Sequence, residues 1–261
     1  MNLFEAFRKV CMSRHSTKRF AVDRKIPCQV LNDVLKCTLA APSGYNLQPW
    51  QVILVQNNEV KQKLSEKAML GSNTYRVKDA SAIAVFCADL QLRQRIERVV
   101  KLEKDYQNRD PGYLASLPLV ATVLSGEGKT ATFMKRFVSD IVSDTNISSM
   151  PNFESIDLWS YKNVSLAAQN YMLSATSHGL ATCSMEGFDE RRAKEVLRIP
   201  DRYGIPLMVA TGYVHELDDA SLPEKRAPRL SIEELVFDDE FGNSSKIGKS
   251  EHEENHEYSK G

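Results

Sequence analysis

The sequence predicts a mixed helix-and-strand domain. Short β-branched runs at 50–56 and 82–88 read as buried strands, and longer stretches with apolar residues at helical spacing separate them. The third observation is compositional. With 42% hydrophobic and 26% charged residues over 261 positions, the chain can bury a sizeable core as an ordinary globular protein. Lys+Arg and Asp+Glu balance at 34 each, which argues against a nucleic-acid or acidic-membrane partner, since both select a basic excess. No apolar run approaches the ~18 residues of a membrane span. The opening MNLFEAFRKVCMSRHS carries Glu5 and no long apolar stretch, so no secretory signal is expected. Five widely spaced cysteines without a C-x-x-C pair suit a reducing compartment, and the cytosol is the expected location.

Along the chain, Leu3, Phe4, Phe7, Val10 and Cys11 give an amphipathic helix over 3–13, followed by the polar cluster Arg14 to Arg19. A second helix at 29–41 ends at Pro42 and Gly44, which cannot continue it cheaply. The strand at 50–56 precedes a helix at 58–69, the strand at 82–88 and a charged helix over 91–109. Residues 111–156 read less clearly, with 117–124 as a possible strand. Leu158, Val164, Leu166, Ala167, Ala168, Met172 and Leu173 mark a buried helix over 158–178, closed by Gly179. A strand at 180–185 leads to a helix capped by Asp189, then a strand at 206–214 and a short helix at 231–235. Residues 243–261 lack apolar character and are expected to form a disordered tail after one domain spanning 1–242.

Two motifs invite stronger readings than their context supports. His252 to His256 spells H-E-x-x-H, but a zinc site needs it on a packed helix, and here it lies in a polar run. Gly126 to Ala131 contains G-K-T, yet a phosphate loop needs glycine where Val123 stands. No metal site is expected from either.

Two other clusters carry more chemistry. Arg14, His15, Ser16 and Lys18 combine guanidinium, hydroxyl and ammonium donors in one turn, a composition suited to a phosphate. Pro42, Ser43, Gly44 and Asn46 then set a hydroxyl and an amide in a Pro/Gly-fixed loop that enters a buried strand.

These segments resemble the FMN-dependent nitroreductase family. SRHSTKRF is similar to its N-terminal phosphate motif, APSGYNLQPWQVILV to its loop and first strand, and NYMLSATSHGLATCSMEGFDERRAKEVLRIP followed by PLMVATGYV to its central helix, flavin-edge turn and late strand. APRLSIEELV resembles its C-terminal basic motif. The resemblance covers roughly 3–89 and 157–241. It implies an α+β sandwich on a mainly antiparallel sheet, in an intertwined homodimer with two FMN sites at the interface. It also implies that Arg14, His15, Ser16 and Lys18 hold the FMN phosphate and ribityl chain. By the same resemblance, Pro42, Ser43, Gly44 and Asn46 reach the flavin from the other subunit, and Asn73 and Arg76 bond its pyrimidine oxygens. Glu186 and Gly187 match the turn facing flavin N5, and Arg229, with Lys225 or Arg226, the C-terminal phosphate contact. Asn163 departs from the family pattern, standing where better-known bacterial members place Gln.

The implied activity is an NAD(P)H oxidoreductase reducing nitroaromatics or quinones by a ping-pong mechanism. FMN carries the redox chemistry, so no catalytic side chain is assigned. The alternatives within the fold are a flavin-dependent dehalogenase or an oxygen-using enzyme. Either would depend on a lid in 91–156, with Tyr106, Tyr113, Phe133 and Phe137 as candidates. A low-turnover FMN-binding protein is the reading from another class.

Overall fold

A computed structural model describes residues 2–106, 110–124, 154–215 and 227–245, with isolated positions at 133, 137, 139, 141 and 247. The chain divides into two compact units, Met1–Asp219 and Ala220–Gly261.

The first unit is built on a four-stranded sheet of β1 (Trp50–Val55), β2 (Ala82–Asp89), β3 (Ala181–Met185) and β4 (Tyr203–Gly212). The order is β1-β2-β4-β3, and each pairing between these four strands is antiparallel. Strand β2 explains the architecture. All eight of its residues are buried, and its alternate side chains enter two separate cores. A strand that is apolar from Ala82 to Ala88 needs cover on both faces.

Helices supply that cover. On one face, Ile83, Val85 and Cys87 pack with Leu64 and Ala68 of α3 (Asn58–Ala68), Val77 of α4 (Asn73–Asp79) and Ala193 of α8 (Glu190–Leu197). On the other, Ala84 and Phe86 meet α2 (Cys28–Leu39) and the 22-residue α7 (Ile156–Ser177). There the Phe86 and Tyr171 rings meet edge-on with centroids 5.8 Å apart. The Tyr171 and Thr211 hydroxyls bond at 3.0 Å, so the buried phenol is satisfied. Helices α5 (Arg93–Asp105) and α6 (Pro111–Leu124) add a third cluster of Leu92, Ile96, Val99 and Leu117 beneath Leu47. The arrangement is the α+β sandwich on an antiparallel sheet that the sequence implied.

Four details differ from the sequence reading. Residues 117–124 are helical, within α6; Asp110 caps that helix by accepting from Tyr113 N at 2.7 Å, and Pro111 starts it, where its missing N–H is harmless. Helix α4 has no counterpart in the sequence reading. Leu158 and Leu166 are about half exposed, while Val164, Ala167 and Ala168 form the buried stripe of α7. Helix α1 (Leu3–Ser13) buries none of its side chains, although an Asn2–Glu5 capping box starts it.

In the second unit, Ser231 and Glu234 form a capping box on α9 (Ile232–Leu235). A bridge between Phe237 and Ser244 closes a turn there, and Ser245 N donates to Val236 O at 2.9 Å. Residues 243–245 of the stretch expected as a tail thus belong to this turn. Most of the remainder, including His252 to His256, lies outside the described residues, as does the Gly126 to Ala131 motif.

Candidate active site

The first group of candidate residues gathers at the β3 edge of the sheet. Arg14 ends α1, its N–H donating to Val10 O at 3.1 Å. The chain then runs beside β3: Ser16 bridges to Thr182, and Thr17 N donates to Thr182 O at 3.0 Å. His15 Nδ1 lies 3.0 Å from Ser13 O, which can only accept, so Nδ1 carries a proton, and Nε2 lies 3.4 Å from Thr17 Oγ1. Lys18 and Ser16 are exposed beside it.

Helix α4 and the turn after β3 complete this group. Asn73 Nδ2 donates to Gly187 O at 3.0 Å, and Asn73 Oδ1 accepts from Arg76 Nη1 at 2.5 Å. Leu70 N also donates to Gly187 O, at 3.0 Å, fixing the turn from its carbonyl side. Gly187 N–H has no partner among the described residues. The turn sits so close to α4 that a Cβ on Gly187 would lie 2.9 Å from Asn73 Nδ2. Glu186 is exposed.

Charge converges on the same place. The Cys183 thiol on β3 is pushed up by burial, partly offset by the cationic Arg76 and Arg14. Both guanidinium groups therefore act on one point of the strand. Arg76 Nε is buried and has no hydrogen-bond partner among the described residues. A buried donor left without an acceptor costs free energy unless a ligand supplies one. Together with the open N–H at Gly187, it fits a flat heterocycle bearing carbonyl oxygens and a ring nitrogen. The residues present therefore suit FMN.

The second group lies in the loop before β1. Ser43 Oγ accepts from Gln48 N at 2.9 Å, and Gly44 N donates to Asn163 Oδ1 at 2.8 Å. Tyr45, Asn46 and Gln48 hold left-handed backbone at φ 52°, 53° and 46°. Three such residues persist only where surrounding contacts impose them. Those contacts are visible. Asn46 Nδ2 donates to Glu103 Oε1 at 2.8 Å, and Arg95 Nη1 bonds Gln48 O. A Cβ at Gly44 would lie 2.9 Å from the Trp159 ring, so only glycine lets the loop close on α7. Pro42, half a turn earlier, is exposed.

The two groups occupy opposite edges of the sheet, β3 and β1, separated by three strand spacings or about 14 Å. Within one chain the structure therefore brings Arg14, His15, Ser16, Asn73, Arg76 and Gly187 together, and separately Ser43, Gly44 and Asn46. Arg229 belongs to the second unit, where Nη1 donates to Ala227 O and Pro228 O at 3.0 and 3.2 Å. Lys225 and Arg226 lie outside the described residues.

Sequence reasoning did not single out Glu103, Arg95 or Trp159. Glu103, at 4% exposure in an otherwise charged helix, shows no distinguishing pattern in sequence. Asn163 was visible as a departure. Its amide is fully engaged, accepting from Gly44 N and donating to Trp159 O at 2.8 Å.

The structure sets a donor-rich edge against an antiparallel sheet. Comparison with known proteins makes the class specific. A sequence profile of the Nitroreductase family matches residues 11–213, and the chain belongs to that family of flavin-dependent oxidoreductases. It is 28% identical over 232 residues to the oxygen-insensitive NAD(P)H nitroreductase of Enterobacter cloacae, covering 85% of this chain and 96% of that protein. A nitroreductase family protein of Streptococcus pneumoniae has the same fold, with a TM-score of 0.66 at 22% identity, over 89% of this chain and 99% of the other. A structure from Exiguobacterium sibiricum, solved as a nitroreductase complex with FMN, gives 0.62 at 18% identity, over 88% and 95%. Among the described residues, no helix is long and apolar enough to cross a membrane.

Proposed function

We propose that this protein is an FMN-dependent NAD(P)H oxidoreductase that reduces nitroaromatics or quinones, working as a cytosolic homodimer. The observation that carries the reading is the orphaned Arg76 Nε beside Asn73, with the open N–H of Gly187 across from it. FMN, when bound, supplies the hydride and electron transfers itself. What falls to the protein is binding and electrostatics. Arg14, Ser16 and Lys18 would take the phosphate and ribityl chain, where guanidinium forks and a hydroxyl meet several oxygens at once. Arg76 would place positive charge against the pyrimidine edge, where reduction leaves negative charge. Gly187 N–H would stand as donor at the ring nitrogen opposite. Pro42, Ser43, Gly44 and Asn46 would arrive from a second copy, since one chain holds them at the far edge of the sheet. A single site visited in turn by NAD(P)H and by a small aromatic acceptor gives ping-pong kinetics.

The absorbance spectrum of the purified protein tests this, followed by anaerobic NAD(P)H. The expected result is a visible flavin band that bleaches and returns on adding nitrofurazone or menadione. A colourless protein that takes up no FMN overturns the reading. A band that NAD(P)H leaves unchanged reduces it to an FMN-binding protein without this turnover.

A further inference from the structure

A cleft of about 630 Å³ opens between the end of α2, the start of β1 and helix α5. Its charge is one-sided. Arg95, Arg98 and Arg202 line it against a single carboxylate, Asp89. That carboxylate is 1% exposed and already shared, 3.0 Å from Arg202 Nη2 and 3.5 Å from Arg95 Nε. Arg95 and Arg202 are thus engaged by Asp89, and Arg98 stands apart from that group. Arg98 is exposed and forms no ion pair or hydrogen bond among the described residues.

The walls have the opposite character. Leu39 and Leu102 face the cleft at 57% and 55% exposure, with buried Leu47 and Val99 behind them. Water is a poor neighbour for such side chains, and covering them is favourable in proportion to the area removed from solvent. An inorganic anion would satisfy the arginine and leave the leucines wet. A neutral apolar molecule would cover the leucines and leave the surplus charge unanswered. A cleft of this size holds a small organic molecule.

We propose that this cleft is a binding site for a small amphipathic carboxylate. The acid group pairs with the Arg98 guanidinium, which meets two carboxylate oxygens in one plane, and the hydrocarbon body lies on Leu39 and Leu102. The assignment uses none of the residues given to FMN, so it stands or falls separately from the redox reading.

Calorimetric titration of octanoate into the full-length protein as purified tests it. One saturable site per chain is expected, with affinity about tenfold weaker in Arg98→Ala and partly restored in Arg98→Lys. Leu102→Ser should also weaken it, through the wall rather than the charge. Octanol and inorganic phosphate, each lacking one half of the ligand, should bind far more weakly than octanoate. Arg98 has no bonded partner to lose, so its variants should keep the parent melting temperature and flavin content. Absence of saturable octanoate binding overturns the proposal. So does equal affinity in the parent and Arg98→Ala, which would place octanoate elsewhere, or phosphate binding as tightly as octanoate.

Discussion

The side-chain amide of Asn46 donates to the carboxylate of Glu103 across 2.8 Å, joining two residues 57 positions apart. Asn46 is in left-handed backbone at φ 53°, and Glu103 is almost fully buried on α5. The carboxylate therefore fixes which way the Asn46 amide turns, and with it the loop proposed to reach the cofactor. Glu103→Ala should weaken FMN binding roughly tenfold, the scale of one hydrogen bond to a charged group. Glu103→Gln keeps an acceptor oxygen and should recover most of it. Fluorescence titration of FMN into the apoprotein measures both; equal losses in the two variants would mean that the bond does not orient the loop.

Gly187→Ala separates cofactor binding from stability. The new methyl would meet Asn73 Nδ2 at 2.9 Å, and the exposed Gly187 O and the Asn73 amide end can part by a rotation of that side chain. Stability should change little, below the ~1–3 kcal/mol of an overpacked core. The bond from Asn73 to Gly187 O would be lost, and Arg76 would lose its bracing partner. The expected variant melts like the parent but is purified with less flavin, read from the ratio of visible to ultraviolet absorbance.

Asp89 should matter most for stability. Its carboxylate takes Arg202 Nη2 at 3.0 Å, Gln91 N at 3.1 Å and Arg95 Nε at 3.5 Å, while its carbonyl accepts from Ser160 Oγ at 2.9 Å. The end of β2 is thereby tied to β4, α5 and α7. Removing the buried carboxylate takes away the shared partner of two arginines that are 18% and 30% exposed, so water offsets part of the loss and the cost falls below the ~3–5 kcal/mol of a fully buried pair. Asp89→Ala should lose about 1–3 kcal/mol in urea unfolding, and Arg95→Met together with Asp89→Ala should lose less than the two single changes combined.

Alkaline stability should fall chiefly through two buried acids, with Cys183 and Tyr161 shifted in the same direction by burial. Burial pushes the Cys87 thiol up to about 12 from 9.0, and the Tyr171 phenol up to about 12 from 10.0 despite its bond to Thr211. Above pH 9 the unfolded chain releases protons that the folded chain keeps. Stability is therefore whole below that point and declines towards pH 12, by about 1.4 kcal/mol per pH unit for each group. Cys87→Ala should flatten the first part of the decline. Urea midpoints of parent and variant that stay parallel from about pH 8 to 11 would contradict it.

Long periodic or β-branched segments were legible in the sequence because their pattern is the cause of their structure. Strand β2 is one such case, and Gly179, which ends α7 at φ 72°, is another. Helix α4 escaped because seven residues, Asn-Thr-Tyr-Arg-Val-Lys-Asp, offer no apolar stripe; only Val77 is buried. Residues 117–124 misled because β-branched residues near Pro118 imitate a strand, and the decisive signal lay earlier, at Asp110 and Pro111. In the site, the residue types were legible but their bracing was not. Nothing in the sequence pairs Asn46 with Glu103, or Arg95 with Gln48 O, because those contacts arise from how α5 lies over the loop.

Helix α1 carries one more consequence. Leu3, Phe4, Phe7 and Met12 stand 87%, 70%, 57% and 64% exposed, and the helix leads directly into Arg14. The segment that would grip the phosphate thus follows a helix whose apolar side chains its own chain leaves uncovered. If a second copy covers those side chains, retention of the cofactor becomes a matter of dilution. The same 261 residues would then be a tight binder when crowded and a leaky one when scarce.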